Sequence, residues 1–362
     1  MFFIRVRIMD FMNKKTKSRL SSLLLVLFTL CVLVVIAMMD SGVQNIEEVL
    51  QQLAPMWLVC AGLSILLYYL FDALTHFLTC RLMKQHQSFP SSLLTSMLGI
   101  FYNAVTPFAF GGQPIQAIQM KRYGIGTGAA SSILVFKFIS WQVVTTVLGT
   151  IGLIFCGSVI AEGGATMIAL FVLGYSLNAL CLLLGVVALL KPHWIDAIGK
   201  AVQKLLIKIR IFKTPERIEK AQNTWNNFVN DYREAVHFAL THKKAVPTLL
   251  LSALATAMAY FTVTYCIYRG LGLNDRSFFY VVLVQAMLTI SVSYIPTPGA
   301  SIASEGGFYL IFSDLFPGAT RFPAMLLWRI FTFYANLIFG FIAVVINGIS
   351  GTPKKKTEKE PS

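Results

Sequence analysis

Charge is what this sequence has least of. Asp, Glu, Lys and Arg make up 13% of the 362 residues, against roughly 25% in an ordinary soluble chain. With 56% of residues hydrophobic, the chain has too little polar surface to cover itself in water. Histidine is scarce as well: His76, His86, His193, His237 and His242 show no HExxH or other ligand spacing, which removes the zinc-hydrolase signature. No P-loop, dinucleotide fingerprint or nucleophile elbow occurs, so the common enzyme signatures are missing. The six cysteines (Cys31, Cys60, Cys80, Cys156, Cys181, Cys266) lie in or at the ends of apolar stretches without CxxC spacing. They read as small apolar fillers, and no disulfide, metal or cofactor is expected.

What the chain has in abundance is apolar runs. A helix needs about 20 mainly apolar residues to cross the hydrocarbon layer, and the sequence offers six such stretches: Leu20 to Met39, Met56 to Cys80, Thr127 to Cys156, Ala165 to Leu190, Ala245 to Tyr268 and Phe322 to Asn347. The first follows a basic arm and is too long for the apolar core of a secretion signal, so it reads as an uncleaved anchor. The net charge of +14 is explained by topology rather than by nucleic acid. Lys and Arg concentrate in the N-terminal arm, at Arg81 and Lys84, at Lys121 and Arg122, between Lys191 and Lys244, and after Pro353. The other connections carry Asp40, Glu47, Glu48, Glu162, Asp275 and Asp314 against Arg269, Arg276 and Arg321. This is the positive-inside bias of a multi-pass cell-membrane protein with both termini cytoplasmic.

Two further apolar segments have both ends on one side by the same charge rule. Ser91 to Tyr123 is interrupted by Asn103-Ala-Val-Thr-Pro107 and Gly111-Gly-Gln-Pro114, and Phe278 to Asp314 by Pro296-Thr-Pro-Gly299 and Gly306-Gly307. Proline removes a backbone donor and glycine weakens a helix, so each segment is expected to unwind at its centre and turn back. The fold class is therefore all-α, a polytopic membrane helix bundle with about six full spans and two opposed re-entrant hairpins, eight apolar segments in all. Thr-Pro followed by Gly-Gly in both segments hints at an inverted repeat, although the spacings differ. Irregular backbone at membrane depth survives only where protein or a water-filled cavity satisfies it, and paired broken segments point to a transporter site near the midplane.

The domain reading is a basic cytoplasmic arm over residues 1–19, a transmembrane domain over 20–348 that includes a cytoplasmic amphipathic loop over 191–244, and a disordered cytoplasmic tail over 349–362. In the loop, Ile195, Ile198, Val202, Leu205 and Ile209 form one helical stripe with Lys200, Lys204 and Lys208 on another face. Thr214-Pro215-Glu216 opens a second helix whose stripe includes Trp225, Phe228, Tyr232 and Val236. Such a pair either lies on an anionic leaflet or forms a solvated connector on the bundle.

Charged groups inside apolar spans each cost about 2.5 to 3.5 kcal/mol at a helix centre, so they need partners or water. Lys137 and Glu305 are read as functional. Asp72, His76 and Arg329 fit structural pairing equally well. After Gly111-Gly112-Gln113, Pro114 is placed to open a short helix whose free N–H groups and dipole suit an anion such as a lipid phosphate, with Gln113, Gln116 and Lys121 adding polar contacts. The competing reading is that the glycines only permit a tight turn.

Asn103-Ala-Val-Thr-Pro107 through Gly-Gly-Gln-Pro114, Met120-Lys-Arg-Tyr-Gly124, Pro296-Thr-Pro-Gly-Ala-Ser301 with Glu305-Gly-Gly-Phe308, and Trp328-Arg-Ile330 with Phe333-Tyr334 resemble the lysylphosphatidylglycerol synthase transmembrane, or flippase-like, family. The likeness runs from about Leu20 to Gly348 and lacks a counterpart of the cytoplasmic synthase domain found in the multiple peptide resistance factor. It implies translocation of an anionic or aminoacylated phospholipid, with Gly111, Gly112, Gln113, Pro298, Gly299, Glu305 and Arg329 as headgroup-site candidates. The alternatives are a small-solute or ion-coupled transporter and, by family name only, a phosphatidylglycerol lysyltransferase. A homo-oligomer is left open, and no nucleic-acid partner is expected.

Overall fold

The computed structural model describes residue 51 and residues 53–106, 111–208, 215–242, 244–293 and 301–349. These residues form a helical bundle: α1 (Pro55–Leu82), α2 (Phe89–Ala104), α3 (Gly112–Arg122), α4 (Thr127–Cys156), the short α5 (Ser158–Glu162), α6 (Gly164–Leu190), α7 (Pro192–Lys208), α8 (Pro215–Thr241), α9 (Ala245–Gly270), α10 (Phe278–Val292), α11 (Ser301–Ile311), α12 (Arg321–Arg329) and α13 (Ala335–Ile349). A π-helical turn over Ile330–Tyr334 joins α12 to α13. Five helical units are long and apolar enough to cross a membrane: α1, α4, α6, α9 and the continuous stretch Gly318–Ile349. They coincide within a few residues with five of the six spans read from the sequence. The sixth, Leu20 to Met39, lies outside the described residues, as do the arm and residues 350–362 of the tail.

The protein is thus a multi-pass membrane helix bundle. Among the described residues its outer faces carry large exposed apolar side chains, among them Leu63 and Leu67 of α1, Leu183 and Leu184 of α6, and Ile338 and Phe341 of α13. A patch of that extent is untenable in water and ordinary against lipid tails.

Both broken segments fold as helical hairpins. In the first, Ser88 caps α2 by accepting a hydrogen bond from the Ser91 N–H at 3.4 Å, and α2 ends at Ala104. The chain returns as α3, antiparallel to α2: Asn103 meets Gly112, and Thr95 meets Gln116. Gly124, at φ 88°, then turns the backbone into α4; this left-handed conformation favours glycine. In the second, α10 is capped by Ser277 and α11 folds back onto it, with Gly307 against Leu288 and Val292. The Gly306-Gly307 pair does not interrupt this hairpin, contrary to expectation, because both residues lie inside α11. Two glycines cost a helix roughly 2 kcal/mol against alanine, a cost that tertiary packing overrides.

At the centre, α1 and α9 run antiparallel. The Ala54 N–H donates to the Gly270 carbonyl at 3.0 Å, the rings of Tyr68 and Tyr260 lie 5.1 Å apart, and the Thr75 and Thr256 hydroxyls share a hydrogen bond at 3.3 Å. Helix α2 packs on α13, where Gly340 admits Phe101, and α10 packs on α4, where Gly149 admits Ile290 and Gly152 admits Met287. Lipid tails are as apolar as leucine, so close packing holds spans together, and small residues at crossing points permit it.

Candidate functional site

A polar cavity opens where the two hairpins meet the central spans. It has two adjoining lobes of about 300 and 340 Å³, which share Tyr68, Asn103, Gln113, Trp141, Tyr260 and Asn336. The first hairpin supplies Asn103 and Gln113, and the second supplies Thr289 and Ser293. Among the described residues each lobe is lined by one cation, and each cation is paired.

In the first lobe Lys137 Nζ lies 2.7 Å from Asp72 Oδ2 and 3.2 Å from Ser96 Oγ. Three helices are joined by that ammonium: α4 carries Lys137, α1 carries Asp72 and α2 carries Ser96. Both charged side chains keep a modest exposure of 14% and 15%, because they face the cavity. In the second lobe Arg329 Nε lies 3.0 Å from Glu305 Oε1, and this pair is almost wholly enclosed. The guanidinium also stands over the rings of Trp328 and Phe333, each 5.3 Å from the centroid. Glu305 does not line the cavity. It stands behind Arg329, and its second oxygen, Oε2, is buried without a hydrogen-bond partner among the described residues.

The π-helical turn directly follows Arg329. Wide turns of this kind recur at functional sites, and here Asn336 closes the turn by donating from Nδ2 to the Thr332 carbonyl at 2.6 Å. The Asn336 Oδ1 accepts from the Tyr69 hydroxyl at 2.8 Å, so the last span is tied to α1 beside the second lobe.

The remaining candidates separate by location. Gln113 is exposed in the cavity and Gln116 is buried at its edge, where its Nε2 donates to the Thr95 carbonyl at 3.3 Å. The N–H groups of Gly111 and Gly112 donate to Thr106 Oγ1 at 2.9 Å and to Asn103 Oδ1 at 2.8 Å. Those two donors at the start of α3 are therefore engaged inside the hairpin. A Cβ on Gly112 would overlap Asn103 Oδ1 and the Gly99 carbonyl oxygen, so close approach of the two helices accounts for this glycine. The helix also starts at Gly112, ahead of Pro114; proline fits here because the first four N–H groups of a helix have no partner within it. Lys121 lies eight residues beyond Gln113, about 12 Å along the helix, and is exposed at the far end of α3. Pro298 and Gly299 lie outside the described residues. His76 places its Nε2 3.3 Å from Gln87 Oε1.

Tyr68, Trp141, Tyr260, Thr289 and Asn336 line the cavity without having been singled out from the sequence, and Asn103 had been read only as part of the break. One usable signal existed: Tyr68 with Asp72, and Lys137 with Trp141, stand four residues apart on helices and so share a face.

The family described as the lysylphosphatidylglycerol synthase TM region matches residues 20–340. A UPF0104 membrane protein of Archaeoglobus fulgidus is similar over 294 residues at 26% identity, covering 79% of this chain and 85% of that protein.

Proposed function

The chain belongs to the lysylphosphatidylglycerol synthase transmembrane family, and on that premise we propose that it moves a phospholipid headgroup, that of phosphatidylglycerol or its lysyl derivative, between the leaflets of a cell membrane. Both termini are cytoplasmic on this reading, and the two hairpins enter the membrane from opposite faces. Helical hairpins that meet near the midplane are the recurring frame of transporter sites, and the antiparallel α1 and α9 fit that frame.

The observation that carries the proposal is that two cations, Lys137 and Arg329, line one polar cavity, each held by a carboxylate. Leaving a single charge uncompensated in a buried site is strongly unfavourable. A lysylphosphatidylglycerol headgroup offsets this by exchanging partners with an existing pair: phosphate onto Lys137 or Arg329, ammonium onto Asp72. Phosphatidylglycerol, which has no ammonium, brings its phosphate alone. The volumes of the lobes lie at the lower end of the roughly 300–1,000 Å³ of pockets that enclose small molecules, enough for a headgroup while its acyl chains stay in lipid. The second oxygen of Glu305, buried behind Arg329, gives a coupling proton a place to dock.

The test is the lipid that accompanies the purified protein. It should be enriched in anionic or aminoacylated headgroups relative to the membrane of origin. A bulk composition, together with binding of a water-soluble dipolar solute, favours a small-solute transporter instead.

A further inference from the structure

One end of the bundle is basic, with Arg81, Lys84, Lys121, Arg122 and Lys244 all exposed there. Helix α8 lies across that end. Its Tyr232, Ala235 and Val236 are buried in one apolar cluster with Cys80 of α1, Met120 of α3 and Leu189 of α6, and the Tyr232 hydroxyl donates to the Ala188 carbonyl at 3.2 Å. Helix α7 packs beside α8, and its inward positions fall four apart. Ile195 joins the same cluster, Gly199 admits the Trp225 ring, and Gln203 Nε2 donates to the Ala221 carbonyl at 3.4 Å. Asp196 belongs to this inward side as well, accepting from Trp225 Nε1 at 3.3 Å.

The opposite face of α7 is of another kind. Trp194, 56% exposed, begins a stripe that continues through the exposed Ala197 and Ala201, three and seven residues on, so the three share one side of the helix. Lys200 and Lys204 stand exposed along its edge, and Lys191 is exposed just before the helix. The level of this face is set by α6, whose final residue, Leu190, is 60% exposed among the lipid-facing side chains of that span. Helix α7 opens two residues later, at Pro192. Trp194 therefore stands where the hydrocarbon layer gives way to headgroups, the depth at which tryptophan is enriched.

We infer that α7 is an interfacial helix, its outer face laid on the anionic leaflet at the basic end of the protein, with Trp194 seated at the headgroup boundary and Lys191, Lys200 and Lys204 against lipid phosphates. The partner is the leaflet surface itself, outside the cavity, so the inference stands apart from the translocation reading. Two observations select a leaflet over water or a second protein. The stripe continues the lipid-facing flank of α6, and the charges beside it are of one sign, as on helices that bind anionic membranes. One tryptophan and two alanines make a shallow stripe. Attachment that scales with apolar area and with charge therefore depends here on the lysines.

The test uses the full chain in nanodiscs of phosphatidylcholine, with and without phosphatidylglycerol. The Trp194 fluorescence is the difference between wild type and Trp194→Phe, and its surroundings are read with two quenchers: a lipid carrying a nitroxide near the top of its acyl chain, and acrylamide in the water. In discs containing phosphatidylglycerol the Trp194 emission should be blue-shifted, quenched by the nitroxide lipid and shielded from acrylamide. K191Q/K204Q, which spares the Lys200 bound to Asp196, should lose most of the nitroxide quenching, since each lysine near an anionic surface strengthens attachment about fivefold. Discs of phosphatidylcholine alone should do the same to the wild type. All three substitutions fall on exposed positions, where the fold tolerates them. Water-like emission with full acrylamide access in the anionic discs would make α7 a solvated connector and overturn the inference. Shielding from acrylamide without nitroxide quenching would put protein on this face instead, and equal nitroxide quenching in both kinds of disc would remove the anionic partner; either result also overturns it.

Discussion

Lys137 Nζ sits 2.7 Å from Asp72 Oδ2 across the interface of α4 and α1, within hydrogen-bond reach of Ser96 on α2. A pair placed at the junction of three helices is both a structural tie and the wall of a cavity, and the two roles can be separated. Asp72→Asn leaves a buried ammonium without its counter-charge and should cost about 3 kcal/mol, the low end for a broken buried pair because some exposure remains. D72N/K137Q should recover most of that loss in a thermal unfolding measurement, while lipid translocation stays low. Recovery of both together would make the pair purely structural.

The two Gly-Gly motifs, alike in sequence, should respond differently to alanine. Gly112→Ala drives a methyl into Asn103 and the Gly99 carbonyl, and overpacking of this kind costs about 1–3 kcal/mol. Gly306→Ala meets open space inside α11 and should be neutral or slightly stabilising. Unfolding midpoints of the two variants check the contrast, and equal effects would contradict the hairpin geometry.

Gln113 is exposed in the cavity. Gln113→Ala should therefore change stability by no more than about 0.5 kcal/mol, as for other exposed substitutions, yet slow translocation. Gln116, buried and bonded to the Thr95 carbonyl, should lose stability on the same change. Reversal of that order would move the site away from α3.

Outside the spans, Asp196 of α7 is tied to α8. Its carboxylate accepts from Lys200 Nζ at 2.8 Å and from Trp225 Nε1 at 3.3 Å, with Arg233 3.8 Å away. The hydrogen bond from Lys200 outweighs the opposing effect of burial and, with smaller help from Trp225 and Arg233, holds the carboxyl below its usual range. A depressed folded value means the contribution is complete above the unfolded carboxylate pKa of about 3.9 and disappears as pH falls through the lower folded value. Hydrogen exchange in α7 and α8 should thus be flat from neutral pH to about 4 once corrected for intrinsic rates, rising only below. Asp196→Asn should raise it at neutral pH.

The spans were legible because about 20 consecutive apolar residues is a property of composition alone, and five of them appear where the sequence places them. The first hairpin was legible through the cluster of Asn103, Thr106, Gly111 and Gly112: the Thr106 and Asn103 side chains accept from the Gly111 and Gly112 N–H groups. Gly306 and Gly307 misled for a physical reason: glycine lowers helix propensity without forbidding a helix, and in α11 packing prevails. Pairing was not legible at all. That Lys137 meets Asp72 while His76 meets Gln87 follows from how helices rotate against one another, which hydropathy does not record. The same holds for Tyr68, Trp141 and Tyr260, aromatic residues that could as readily have faced lipid. Lys121 failed to join the cavity simply because a helix rises 1.5 Å per residue and its position is at the wrong end.

The central claim is that this cavity carries a phospholipid headgroup across the membrane. Its most direct test is the rate of lipid movement in vesicles reconstituted with the full chain, comparing phosphatidylglycerol, lysylphosphatidylglycerol and a neutral lipid, with Glu305→Gln alongside. The account predicts that the charged lipids cross faster than in protein-free vesicles, that the neutral lipid does not, and that Glu305→Gln inserts normally but moves neither. Equal rates for all three lipids, or an unimpaired Glu305→Gln variant, would contradict it.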